Sequence, residues 1–354
     1  MKAETAYLKI LTEHENETEV CEVAAKGLLD IYTAQNKPSK AADVVERYAC
    51  IDYSDDEKEN LFYGPALQAY LDTNYEQAVE KFSVYIDNFT QSGKHVGDAY
   101  YYLGDSYLQL NDTLSAIPRF ESAIKASSGS YKEYAASRVS HYYYHLSSYS
   151  RALEYYQVLE QLGSTPTSIN TARLGIMRSA FFLDNYELSK EYALFVLENP
   201  SLTETIKSEA NYAMGLSCYH LGNYEEALAP LKWLVNNMTT FMGSEAQFTL
   251  AQIHFNQEDL LASKSAIDEL LKMKPSYDFW IAKGLILKSR ILIKEGDLFQ
   301  SEQNLKAVIE HYPNTDDGIL EEANALWEDI MILKNPPVEE PEDDNETKIE
   351  IDED

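Results

Sequence analysis

The sequence repeats itself at an interval of 36 to 38 residues, and this repetition restricts the fold more than any other feature. A small residue, either Ala or Ser, recurs eight times at spacings of 37, 38, 36, 37, 38, 36 and 38 residues. A near-constant interval of this length is typical of a solenoid, in which each repeat packs on its neighbours in the chain. The small residues are Ala41, Ala78, Ala116, Ala152, Ser189, Ala227, Ser263 and Ser301.

Other residue types recur in step with the small residue. An aromatic or bulky residue precedes it by three positions in most repeats, and another follows it by four. Polar turn residues such as Asn111-Asp112 and Gly222-Asn223 separate the predicted helices of a pair. Capping boxes are predicted at Ser54, Ser130 and Ser201, because each Ser has a Glu three residues later. The pattern therefore predicts a series of helix-turn-helix pairs.

One segment carries nearly all of these features at once. Its residues occupy positions 4, 7, 8, 11, 20, 24 and 27 of a 34-residue helix-turn-helix frame, and they are Tyr100, Leu103, Gly104, Tyr107, Ala116, Phe120 and Ala123. This pattern resembles the tetratricopeptide repeat. The resemblance implies an all-α, right-handed α-solenoid in which the first helix of each pair (helix A) lines the concave side and the second (helix B) packs behind it.

The frame predicts about eight helix pairs over residues 20–311 and a C-terminal capping helix within 316–334. Residues 1–14 fall on helix B positions with no helix A before them. They are interpreted either as the end of a truncated repeat in a longer protein or as a short N-terminal cap. Residues 336–354 contain ten acidic residues, three Pro and one Lys, which predicts a disordered acidic tail.

Composition argues against several classes of function. The net charge of −30 disfavours nucleic acid and a polybasic membrane anchor. The sequence has no apolar run long enough to insert in a membrane and no apolar leader segment. Phosphate-binding loops, nucleophile elbows and the His-Glu-x-x-His motif are also missing from it. We therefore expect a protein that is not an enzyme and that needs no cofactor.

Three features of the sequence resemble sites of other chemistry only weakly. Cys21, Cys50 and Cys218 are odd in number and widely spaced, so the sequence predicts neither a disulfide framework nor a zinc site, and all three are expected in helices. His141 and His145 have the spacing of metal ligands on a helix but lack a third ligand nearby in sequence. The segment 314–318 resembles a calcium loop but is interpreted as a helix cap.

The strongest functional signal is a set of aromatic residues at positions 5 and 12 of the A helices, which lie on one helix face. We expect position 5 to contact a ligand and position 12 to be the more structural, while packing of all these rings between helices stays an alternative. Cations at Arg138, Arg178 and Arg290 are too few for the carboxylate clamp of this family. The candidate contacts are Tyr63, Tyr70, Tyr101, His141, Tyr144, Arg178, Phe181, Tyr212, Tyr219, Phe248 and Phe255.

The sequence therefore predicts a scaffold or adaptor that binds a protein, as a peptide or helix, along the concave aromatic groove. The alternatives are a structural spacer with no ligand in the groove, or the targeting arm of an enzyme or regulator that lies upstream. The repeat length and the segments 278–284 and 296–301 resemble the C-terminal part of large Bacteroidetes repeat proteins of the cell envelope. This resemblance implies a periplasmic, outer-membrane-associated location for a fragment of an exported protein, and a cytoplasmic one otherwise. The sequence does not define an oligomeric state.

Overall fold

The computed structural model describes residues 2–14, 16–35, 37–51, 54–126 and 129–335. In these ranges the backbone forms 18 α-helices and no β-strand, so the predicted all-α fold is confirmed. The predicted acidic tail, residues 336–354, lies outside the described residues. The chain divides into two compact units, residues 1–196 and residues 197–354.

From α1 to α10, consecutive helices of unit 1 pack together, and α4, α6, α8 and α10 also pack on one another in succession. These even-numbered helices are the A helices of the frame, and the odd-numbered ones are the B helices. The helices are α1 (Lys2–Glu13), α2 (Thr18–Ala34), α3 (Pro38–Arg47), α4 (Asp55–Leu71), α5 (Tyr75–Phe89), α6 (Val96–Gln109), α7 (Thr113–Lys125), α8 (Lys132–His145), α9 (Tyr149–Leu162), α10 (Pro166–Phe182) and α11 (Tyr186–Leu197), which ends at the unit boundary.

Unit 2 is built in the same way. Consecutive helices pack together from α12 to α18, and the A helices α12, α14, α16 and α18 pack in succession. The helices are α12 (Glu204–His220), α13 (Tyr224–Asn237), α14 (Phe241–Asn256), α15 (Leu260–Lys272), α16 (Asp278–Glu295), α17 (Leu298–His311) and α18 (Ile319–Lys334).

The turn from helix A to helix B has the same backbone conformation in seven successive pairs. Each of these turns contains one residue with positive φ, between 55° and 82°. The next residue is the N-cap of helix B, and its side chain caps that helix in most pairs, as Asp112 does by accepting the backbone N–H of Ser115 at 3.0 Å. The positive-φ residues are Thr73, Asn111, Ser147, Asp184, Gly222, Glu258 and Gly296, spaced like the small residues.

The small residue of each repeat allows the two helices of a pair to approach closely. Seven of the eight, from Ala78 to Ser301, have no exposed surface. A Cβ atom added to Gly104, at position 8 of helix A, would lie 3.2 Å from the carbonyl oxygen of Ala116. Two of the three Ser residues bond helix A through the hydroxyl, as Ser263 does with the carbonyl of Ala251 at 2.8 Å, whereas the buried Ser189 hydroxyl has no such partner among the described residues. In α3, however, Ala42 is buried rather than Ala41.

The structure corrects several details of the helix ends. Of the three predicted capping boxes, the one between Ser54 and Glu57 forms. The N-cap residues of α8 and α12 are instead Tyr131 and Thr203. Helix α18 begins after Gly318, whose φ is 79°, while the side chain of Asp317 accepts the N–H of Ile319 at 3.2 Å. The segment 314–318 therefore does form a helix start.

A disulfide bond links Cys21 to Cys50, so the expectation of unpaired cysteines was wrong. Cys21 lies in the first turn of α2, and Cys50 lies in a turn after α3 rather than in a helix. Because α2 and α3 form one helix-turn-helix pair, the start of the first and the end of the second lie together, with the two Cα atoms 6.0 Å apart. The two cysteines are 29 residues apart in sequence, so the sequence alone does not indicate that they are close in space. Cys218 is buried in α12.

Candidate protein-binding face

The eleven residues predicted to contact a ligand all lie on A helices, but they differ in exposure. Tyr63 and Phe248 are buried, with 8% and 6% of their surface exposed, and His141 is exposed. The other eight are half-buried: Tyr70, Tyr101, Tyr144, Arg178, Phe181, Tyr212, Tyr219 and Phe255.

The two buried residues are both at position 5, which the sequence assigned to ligand contact. The Tyr63 ring stacks on the imidazole of His95 at 4.4 Å and meets the edge of Phe82 at 6.0 Å. The Phe248 ring lies 5.5 Å from the ring of Trp280 in the next A helix. Two of the rings at position 5 are therefore covered by side chains of the protein itself, while Tyr101 and Tyr212 at the same position stay half-buried, so position 5 is not uniformly the more exposed of the two positions.

Three of the half-buried tyrosines connect one A helix to the next through their hydroxyl groups. Tyr70 donates to Asp105 Oδ2 at 2.7 Å, Tyr212 to Glu245 Oε2 at 2.8 Å, and Tyr219 to Gln252 Oε1 at 3.1 Å. The acceptors lie 33 to 35 residues after the donors, which is one repeat further along the chain. The polar ends of these rings therefore join adjacent repeats.

The remaining aromatic residues of the set also lie against other rings or cations. The Tyr101 ring stacks on Tyr131 with centroids 4.6 Å apart. Tyr144 and Phe181 meet the edges of Tyr149 and Tyr186, the first residues of the following B helices. The Nζ atom of Lys294 lies 4.8 Å above the Phe255 ring. Most of the aromatic set therefore contributes to packing as well as to the surface.

The most exposed part of the set lies on α8. Tyr134, Arg138 and His141 are spaced four and three residues apart, so they share one face of the helix. Tyr134 is 60% exposed, and the Arg138 side chain is 56% exposed. We call these three residues the α8 ridge. Tyr134 was not among the residues predicted to contact a ligand, although it stands at position 2 of the frame, which belongs to the same helix face.

Two contacts position the α8 ridge, one to an acidic side chain and one to a backbone carbonyl. Nη2 of Arg138 lies 3.9 Å from Oδ1 of the buried Asp105, whose other oxygen accepts the Tyr70 hydroxyl. Nδ1 of His141 donates to the Ser137 carbonyl at 2.7 Å, which orients the imidazole along α8. On α10, Arg178 lies near Tyr156, where burial raises the pKa of the phenol to about 12 and the positive charge of Arg178 acts in the opposite direction.

The described residues hold no group of three or more His, Cys, Asp or Glu side chains placed to bind a metal ion. His141 and His145 are both exposed on α8. Within the same ranges, every helix is too short or too polar to cross a lipid bilayer.

Comparison with known proteins agrees with this geometry. Residues 101–167 match the tetratricopeptide repeat family, and this segment contains the small residues Ala116 and Ala152 with the α6–α9 helix pairs around them. The resemblance predicted from the sequence is thus confirmed, and the chain contains repeats of the tetratricopeptide type. None of the curated proteins matches the sequence significantly.

Several solved structures are similar at low sequence identity. A tetratricopeptide repeat protein from Parabacteroides merdae has 13% identity and a TM-score of 0.37, covering 76% of this chain and 98% of that one. The C-terminal part of a repeat protein from Cytophaga hutchinsonii has 13% identity and a TM-score of 0.39, covering 72% and 97%. PilW, described as a type IV pilus biogenesis factor, has 18% identity and a TM-score of 0.42, covering 65% and 98%.

Proposed function

We propose that the protein is a non-enzymatic scaffold that binds another protein through the exposed face of its A helices. The α8 ridge is the observation that supports this proposal most directly. A tyrosine ring, a guanidinium group and an imidazole stand exposed together, above the half-buried Tyr101 ring, which lies 6.4 Å from the Tyr134 ring. Tyr and Arg are the residue types that contribute most strongly at protein interfaces, because they combine a large contact area with directed hydrogen bonds.

The proposed location is an oxidising compartment such as the periplasm. The disulfide between Cys21 and Cys50 supports it, since glutathione and thioredoxin keep most cytosolic thiols reduced. The disulfide belongs to this chain itself, so its support for an oxidising location does not depend on the resemblance to envelope repeat proteins.

A photo-cross-linking amino acid placed at residue 134 tests the scaffold function in the cells that produce the protein. The expected result is a covalent adduct with one defined partner that disappears when Arg138→Ala and His141→Ala are added. Leu114, 79% exposed on α7, gives the matched control position on a B helix. Equal adducts from residues 114 and 134, or no adduct from either, would contradict the proposal.

The structural spacer remains the second candidate, and one observation favours it. The hydroxyls of Tyr70, Tyr212 and Tyr219 bond the next A helix, so much of the aromatic set stabilises the repeats themselves. A spacer and a scaffold differ in their response to the α8 ridge. Substitution of all three ridge residues leaves a spacer fully functional and removes the partner of a scaffold.

A further inference from the structure

Glu245 lies half-buried among aromatic rings in unit 2. It shares one face of α14 with Phe241 and Phe248, which stand four residues before it and three after it. From α12, the Tyr212 hydroxyl donates to Glu245 Oε2 at 2.8 Å, and the Tyr212 ring lies 6.5 Å from the Phe241 ring. From α16, Trp280 packs on Phe248. We call Glu245 with these four rings the Glu245 site.

The carboxylate of Glu245 has no cation beside it within the described part of the chain. The hydroxyl of Tyr212 is its one hydrogen-bond partner there. Two cations of the adjacent A helices contact other groups: Lys283, the next residue at the same frame position, bonds Glu322 at 2.7 Å, and Lys207 lies 5.0 Å above the Trp233 ring. Burial raises the pKa of Glu245 above its usual value, against the effect of the Tyr212 hydrogen bond.

A half-buried carboxylate with one neutral donor is costly for a folded protein, because it has lost hydration without gaining an opposite charge. An apolar side chain placed against Phe241 would cover the carboxylate further and increase that cost. A cationic side chain would remove the cost through charge-assisted hydrogen bonds to Glu245. The same cation would lie against the rings of Tyr212 and Phe241, which favour positive charge at their faces.

We propose that the Glu245 site binds a Lys or Arg side chain of the partner protein. This inference rests on the proposed scaffold function and adds the chemistry of the segment that docks in unit 2. The net charge of −30 is consistent with it, since the field of the whole chain attracts a basic partner. Phe241, 47% exposed, stands at the open side of the site, where an incoming side chain would first meet it.

Two fluorescent pools of short synthetic peptides test the inference. Both have neutral randomised flanks, one has a central Arg, and the other has a central citrulline, which keeps the shape of Arg but lacks its charge. By fluorescence polarisation, we expect the Arg pool to bind at least about ten-fold more tightly than the citrulline pool. A single hydrogen bond between charged groups contributes roughly this much to affinity. Phe241→Ala should weaken binding of the Arg pool by roughly two- to five-fold.

Glu245→Gln is the deciding variant, because glutamine keeps an oxygen that accepts the Tyr212 hydroxyl and removes only the charge. It should abolish the preference for Arg over citrulline. Glu328→Gln removes the same charge from an exposed position on α18 and should keep the preference, which separates a local contact from the field of the whole chain.

The outcomes distinguish this inference from the scaffold function itself. Equal binding of the two pools, or a preference that survives in Glu245→Gln, would overturn the inference while peptide binding as such stands. If neither pool binds, the inference also falls, and the adduct at residue 134 decides separately on the scaffold function.

Discussion

The hydroxyl of Tyr70 in α4 donates a 2.7 Å hydrogen bond to Oδ2 of Asp105 in α6, so one repeat supplies the main partner of a carboxylate that the next repeat buries. Asp105 is 5% exposed, and its remaining contacts are long: Gln109 Nε2 at 3.5 Å and Arg138 Nη2 at 3.9 Å. Because Arg138 belongs to the α8 ridge, the packing of α4 on α6 also supports the proposed binding face.

Tyr70→Phe should therefore destabilise unit 1, since it leaves a buried charged acceptor without its closest donor. The expected loss in the free energy of unfolding is about 1–3 kcal/mol, measured by urea unfolding. Tyr75→Phe is the matched control, because the Tyr75 ring contacts Tyr70 but its hydroxyl bonds nothing in the described part of the chain. If both variants lost the same stability, the contribution would come from the rings and not from the hydrogen bond.

The register of the repeats can be tested at the turn between α4 and α5. Thr73 has a φ of 58°, a conformation that disfavours a β-branched residue. Thr73→Gly should raise the free energy of unfolding by about 1 kcal/mol, because glycine adopts this conformation without strain. Glu80→Gly, at an exposed position inside α5, should instead lower it by about 0.5–1 kcal/mol. Destabilisation by Thr73→Gly would mean that the turn has another conformation.

The disulfide gives a prediction about both chemistry and stability. Titration of the unfolded protein with a thiol reagent should find one thiol per chain before reduction and three after it. Reduction, or paired Cys21→Ser and Cys50→Ser substitution, should lower the stability of the α2–α3 pair by about 3.5 kcal/mol, as expected for closing a loop of this length. Hydrogen exchange of α2 measures this loss, and Cys218→Ser serves as the control. Three thiols without reduction, in protein taken from its native compartment, would argue against an oxidising location.

Spacing along the chain was sufficient to predict the parts of the fold that depend on local sequence. The small residue, the polar turn and the aromatic residue three positions before the small one lie within a few residues of each other, and each has one physical reason for its place. The register slips by one residue in α3, where Ala42 is buried instead of Ala41. This helix is ten residues long, so it has fewer repeat positions to define its orientation.

The exposure of residues on the proposed binding face was predicted less well, because exposure at an A-helix position depends on side chains one repeat away. Tyr63 and Tyr101 occupy the same frame position, yet Tyr63 is buried under His95 and Tyr101 stays half-buried. The sequence offers no local signal for this difference, and none for the 60% exposure of Tyr134. The Cys21–Cys50 bond was missed for the same reason, since it depends on how α2 and α3 pack.

The pKa values of Glu245 and Glu59 are shifted in opposite directions, so the two carboxyl groups affect the stability of the fold differently as the pH changes. Burial would raise the pKa of Glu59, but hydrogen bonds from the Tyr85 hydroxyl and the backbone N–H of His95 lower it below the usual value. The pKa of Glu245 is raised, because burial disfavours its charged form and the single hydrogen bond from the neutral Tyr212 hydroxyl does not compensate. Ionised Glu59 thus stabilises the fold, whereas ionised Glu245 destabilises it.

The direction of each pKa shift determines whether the stability rises or falls with pH. The stability contributed by Glu59 is present above its unfolded-state pKa and is lost as the pH falls through its folded-state pKa. The contribution of Glu245 is present below its unfolded-state pKa and is lost as the pH rises through its folded-state pKa. At neutral pH, Glu59→Gln should therefore unfold at a lower urea concentration than the wild type, and Glu245→Gln at a higher one.

Urea unfolding over a series of pH values, from acidic to neutral, measures both effects in one experiment. Both differences from the wild type should shrink toward acidic pH, where the two carboxyl groups are protonated in the folded and unfolded states alike. A stabilising Glu245→Gln would mean that the chain retains a charge that weakens its own fold, as residues kept for binding commonly do. Destabilisation by Glu245→Gln at neutral pH would show that the fold itself requires this carboxylate, and the argument for a cationic ligand would lose its physical basis.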